Sequence, residues 1–95
     1  MRYMKNIIKL PDNLFTPTKG KVVIYALDTA TIGITPSFEY DWAKNCIYHR
    51  GLNVRKQGNN WLVTLPYTLT QHYRLGGGKK TVVSINGGRV LITVT

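Results

Sequence analysis

The stretch Asn53-Val54-Arg55-Lys56-Gln57-Gly58-Asn59-Asn60-Trp61-Leu62-Val63-Thr64-Leu65-Pro66 concentrates the residue types best suited to recognising an anion. Two adjacent cations precede a Gly-Asn-Asn turn, and an apolar strand ending in Leu-Pro follows. In a two-stranded ribbon, such a tip fits a DNA major groove about 12 Å wide, where Arg or Lys reads guanine and Asn reads adenine. Arg55, Lys56, Asn59 and Asn60 are therefore candidate DNA contacts. Arg50, Lys79, Lys80 and Arg89 join them as further DNA-binding candidates, and Arg74 is a possible phosphate contact. The plainer reading makes Arg55 and Lys56 ordinary surface charges of a hairpin, and Asn59 and Asn60 suppliers of positive φ in its turn. Trp61 is expected to pack on the core or the hairpin, not to stack on a base.

Other constellations do less. Gly76-Gly77-Gly78-Lys79-Lys80-Thr81 suggests a phosphate loop, but that loop needs Gly where Tyr73 stands and Ser or Thr where Lys80 stands. Cys46, His49 and His72 fall short of the four suitably spaced ligands of a structural zinc site, so no metal and no cofactor is expected. The acids form no evident pair, and neither histidine has a Ser or Cys nucleophile at a recognisable spacing. The chain reads as a non-enzyme.

Charge supports a polyanionic partner. Thirteen Lys and Arg against four Asp and Glu give a net +9, with a pI near 10.0. All four acids lie between Asp12 and Asp41, whereas Trp42 to Thr95 holds eight cations and no acid, so the second half is the expected anion-facing part. Ninety-five residues bound the chain to a single domain, and 43% hydrophobic residues suffice for a core. One cysteine excludes a disulfide framework, and no apolar run reaches membrane-spanning or signal-peptide form. The expected setting is cytoplasmic, associated with a nucleoid or a viral genome, without a membrane.

The elements that must position these residues are mostly short strands: 6–10, 21–27, 31–35, 46–48, 61–65, 81–85 and 89–95, each rich in Val, Ile, Thr or aromatics. Asn86-Gly87-Gly88 tolerates positive φ and makes 81–95 a hairpin. Asp28-Thr29-Ala30 links a second hairpin through a longer, type I connection. Pro66 starts a helix over Tyr67 to Leu75, closed by Gly76-Gly77-Gly78. After Pro11, Asp12 to Phe15 has room for only a turn before Pro17. The segment Phe38 to His49 suits a helix capped by Ser37 and an extended connector equally.

An internal repeat underlies this order. Ile7-Ile8-Lys9-Leu10-Pro11-Asp12-Asn13-Leu14 lies over Leu62-Val63-Thr64-Leu65-Pro66-Tyr67-Thr68-Leu69. Further on, Lys21-Val22-Val23 lies over Lys80 or Thr81 followed by Val82-Val83, and Ile32-Gly33-Ile34-Thr35 lies over Val90-Leu91-Ile92-Thr93. The repeats cover about 5–36 and 46–95, joined by 37–45.

Val54, the pair Arg55-Lys56, the turn Gly58-Asn59-Asn60, the strand Leu62-Val63, Leu65-Pro66, the helix from Tyr67 and the final strand pair follow the order of a known family. The chain from about Ile47 to Thr95 resembles the swapped-hairpin DNA-binding domains of the AbrB and MazE type. That resemblance implies a mainly β fold, an interleaved swapped-hairpin β-barrel with one short helix in the second half. It also implies a transcriptional regulator that docks Arg55, Lys56, Asn59 and Asn60 on double-stranded DNA. The partner copy is either a second chain in a homodimer or, if both repeats fold together, the other half of an internal pseudo-dimer. The chain departs from the family pattern in three respects. Asn60 replaces a small hydroxyl residue, the first repeat has only Met1 to Lys5 where the basic strand should be, and no acidic tail follows Thr95, so no toxin partner is expected. Two further readings are a β module for protein interaction and a single-stranded RNA binder that stacks bases on Tyr48, Trp61, Tyr67 and Tyr73.

Overall fold

Alternation of β-branched and polar residues builds eight strands, described by a computed structural model over residues 7–73 and 81–94. Strands β1 (Ile7–Pro11), β2 (Lys21–Ala26) and β3 (Thr31–Thr35) form the first half. A four-residue helix α1 (Tyr40–Ala43) leads to β4 (Tyr48–Asn53), β5 (Arg55–Gln57), β6 (Asn60–Thr64), helix α2 (Tyr67–His72), β7 (Thr81–Asn86) and β8 (Arg89–Val94). The fold is mainly β, as the composition of the runs requires. Its strands make two antiparallel sheets, one in the order β1-β6-β5 and the other β4-β2-β3-β8-β7. Neither sheet closes on itself among the described residues, so the expected barrel is replaced by two open sheets that share one core.

That core has a simple origin. On the five-stranded sheet, Val22, Ile24, Ile32, Ile34, Val90 and Ile92 fall on one face by period-two alternation and are fully buried. Leu10 and Val63 of the three-stranded sheet join them, as do Phe15, Leu65 and Leu69. Pro11 ends β1, and its carbonyl accepts from the amides of Leu14 and Phe15, which gives the single turn expected there and buries Phe15.

Both expected hairpins form. Gly87 and Gly88 have φ of +60° and +79° between paired Asn86 and Arg89, so glycine supplies both left-handed positions of a two-residue turn. In the other hairpin, Asp28 Oδ1 accepts from the Ala30 amide at 2.8 Å, a local bond that fixes the longer connection. That bond, with a smaller contribution from Thr31, holds the Asp28 carboxyl below its ordinary range.

The undecided segment resolves into both alternatives in succession, α1 followed by β4. Glu39, not Ser37, occupies the N-cap position, and it caps with no side-chain bond. What holds the segment is Tyr25, whose hydroxyl meets Thr35 Oγ1 at 2.7 Å and accepts from the Glu39 amide at 2.9 Å. Helix α2 begins after Pro66 as expected and reaches His72; Leu75 and the glycines at 76–78 lie outside the described residues. Its C-terminal neighbour Tyr73 is buried and donates to the carbonyls of Asp28 at 2.6 Å and Thr31 at 3.1 Å, tying α2 to the first hairpin. Burial, and to a lesser degree the charge of Asp28, hold the phenol above its ordinary pKa. The neutral phenol is therefore the form that stabilises the fold, an effect present below the ordinary phenol range and lost as pH rises through the raised value. Tyr73→Phe should cost about 1 kcal/mol at neutral pH and soften the alkaline loss of stability, measured by urea unfolding at several pH values.

Candidate nucleic-acid interface

The hairpin β5–β6 is the structural home of the basic ribbon. Gln57 pairs with Asn60 across a two-residue turn in which Gly58 has φ +62°. Glycine thus supplies the left-handed residue, and neither Asn59 nor Asn60 does, contrary to the simpler expectation for them. Asn59 is exposed at the tip, while Asn60 is a ladder residue opposite both Pro11 and Gln57. The carbonyl of Asn59 accepts from the Asp12 amide at 2.9 Å, which fastens the tip to the turn after β1.

Arg55 and Lys56 do not act as a pair, because consecutive strand residues point to opposite faces. Lys56 shares its face with Trp61 and Leu10, lies over the Trp61 ring at 5.8 Å, and forms an ion pair with Asp12 at 3.1 Å. Trp61 itself packs against the core, as expected. Lys56 thus steadies the ribbon, and a half-exposed ion pair of this kind contributes little. Lys56→Ala should lower stability by less than about 1 kcal/mol in thermal unfolding and leave any duplex affinity within about threefold.

Arg55 lies on the outward face. Across the sheet, Lys9, Leu62 and Arg55 stand directly opposite one another, with Leu62 only 8% exposed between two exposed cations. Two strand spacings separate Lys9 from Arg55, about 10 Å between their backbones. Gln57, Asn60 and Thr64 share this face with Ile7 and Pro11. The amide of Val54 donates to the Gly20 carbonyl at 2.9 Å and Asn53 pairs with Lys21, so the turn carrying Lys19 and Lys21 abuts the start of β5.

Neutralisation sharpens the picture. Asp12, Glu39 and Asp41 form ion pairs with Lys56, Arg89 and Lys44. Lys9, Lys19, Lys21, Arg50 and Arg55 have no such partner among the described residues. No family model, curated protein or solved structure matches this chain. The site therefore rests on its own geometry.

The remaining candidates disperse. Arg89 is committed elsewhere: it meets Glu39 at 3.3 Å and lies over the Trp42 ring at 5.5 Å, beside an open cleft of about 560 Å³. Arg50 is exposed on β4 in the other sheet, opposite Ile24. Lys79, Lys80 and Arg74 lie outside the described residues. His49 meets Cys46 Sγ at 3.7 Å and packs near Phe38, while His72 is at the end of α2. Lys19 and Lys21 carry no local sequence signal of this site, because only the long-range pairing of β2 with β4 brings them to Arg55. The part of Asp12 was hidden likewise, although a lone acid beside Pro11 in so basic a chain is a weak signal of a specific partner.

Proposed function

We propose that the chain binds double-stranded DNA through the outward face of β1-β6-β5 and regulates transcription in the manner of the swapped-hairpin family it resembles. The observation that carries this reading is the row Lys9-Leu62-Arg55: two exposed cations without acidic partners among the described residues, on a sheet face that also carries Gln57, Asn60 and Thr64 beside the apolar Ile7, Pro11 and Leu62. Arg55 and Lys9 contact phosphates or base edges, Asn59 and Gln57 contribute amides at the tip, and the turn at Lys19 and Lys21 extends the positive surface. The backbone bond from the Asp12 amide to the Asn59 carbonyl ties the tip to the turn after β1 before binding, which lowers the ordering cost of association.

Duplex is favoured over single-stranded RNA because three of the four aromatic residues suited to stacking, Tyr48, Trp61 and Tyr73, are engaged by the fold. Tyr73 is buried and bonded to two carbonyls, and Trp61 and Tyr48 pack against the core, so no row of free rings is presented for base stacking by these three. A fluorescence anisotropy titration of the intact protein with a mixed-sequence duplex across a salt series tests the reading. Binding that weakens with a log–log slope of about −3 to −6 is expected. Absence of binding at low salt, or tighter binding to single-stranded RNA, would overturn it.

A further inference from the structure

The two halves meet around an approximate two-fold, and the strand edge that breaks this symmetry has no neighbour among the described residues. In the sequence repeat Ile8 corresponds to Val63, and these two residues face each other where β1 meets β6. Gly33 corresponds to Leu91, and these two face each other where β3 meets β8. Around the second centre the pairing is reciprocal: Ile32 opposes Ile92 while Ile34 opposes Val90. Reciprocity of this kind is the signature of an isologous interface between like units.

The hairpins carry the correspondence outward. Val23 opposes Thr35 as Val82 opposes Thr93, so Val23 matches Val82, Ile24 matches Val83, and Lys21 matches Lys80. The outer edge of β2 is then equivalent to the outer edge of β7. The first is filled by β4, whose Tyr48 and Leu52 pack against the core. The second has no strand beside it among the described residues. The consequence is visible in burial: Ile24 is 0% exposed, whereas its counterpart Val83 is 40% exposed and the neighbouring Val82 60%.

We propose that the open edge of β7 pairs with the same edge of a second copy, antiparallel, to give one continuous sheet across a homodimer. The edge is six residues long, Thr81-Val82-Val83-Ser84-Ile85-Asn86, with no charge and no proline. Those are the devices that natural edges use to prevent such pairing, and strands of this composition pair readily. A foreign partner of so basic a chain would be acidic, and β7 offers it no cation. A second copy brings an identical uncharged strand instead, and antiparallel self-pairing is self-complementary. This proposal does not depend on the DNA reading.

Sedimentation velocity of the full chain over about 5–200 µM, at a salt concentration high enough to screen the net charge, tests it. The intact protein should reach twice the 10.8 kDa chain mass as concentration rises. Val83→Lys should weaken the dimer at least tenfold while retaining the circular dichroism of the intact chain and, at a concentration where both are monomeric, a cooperative melting transition. Should Val83→Lys fail to fold, Val82→Lys, at the more exposed position, gives the same readout. A monomer at every concentration, or a dimer that both variants leave unchanged, would overturn the proposal.

Discussion

Replacing Lys9 and Arg55 together by Ala should lower duplex affinity about 10- to 100-fold at 0.1 M salt, with the fold retained. Both side chains are exposed, neither has an acidic partner among the described residues, and they flank Leu62 on one sheet face. Their removal takes away two phosphate or base contacts, so the log–log salt slope should also become shallower by about 2. A matched pair of variants gives the control. Lys56→Ala with Arg89→Ala removes the same charge, but from cations already occupied by Asp12 and Glu39. If the two double variants lost affinity equally, net charge and not the outward face would govern binding.

Gly33→Ala is expected to be the most damaging alanine substitution among the described glycines, by about 1–3 kcal/mol and about 5–20 °C in melting temperature. A Cβ at this position would meet Trp42 ring carbons at 2.6 and 2.9 Å and Leu27 at 3.0 Å. Trp42 lies over the strand at that point, edge-on to Tyr25 with ring centroids 5.5 Å apart, and Arg89 stacks on it. The added methyl therefore forces the indole off the sheet and disturbs the Glu39 contact with Arg89. Gly51→Ala serves as the comparison, since its nearest non-neighbour atom is at 4.0 Å and its effect should stay within about 0.5 kcal/mol. Calorimetry of both variants, with indole fluorescence to report exposure of Trp42, checks the difference.

The local parts of this fold are readable in the residues. Period-two alternation marks β2, β3 and β8, the glycines at 87 and 88 mark a two-residue turn, and Pro66 marks the start of α2, because each signal acts within a few residues. Non-local facts are different in kind. That Arg55 and Lys56 face opposite ways follows from any strand geometry, but which one faces the core depends on β6 lying between β1 and β5. The segment 38–49 was ambiguous for a physical reason: its helix lasts a single turn and is held by Tyr25 from a distant strand, not by its own capping. Arg89 looked like a free cation because Glu39, its partner, is fifty residues away in sequence and arrives only when α1 is laid over Gly33. Lys19 and Lys21 carry no local signal for the converse reason, since they sit in the half of the chain that holds all four acids and join Arg55 through long-range backbone pairing alone.

The most direct measurement of the proposed interface is a two-dimensional NMR titration of the labelled chain with a short duplex, following each backbone amide. Shift changes should gather on Lys9, Arg55, Gln57, Gly58 and Asn59, spread to Lys19 through Lys21, and leave Trp42 and β7 unaffected. Changes confined to the cleft beside Trp42 and Arg89, or to β7 and β8, would contradict the account.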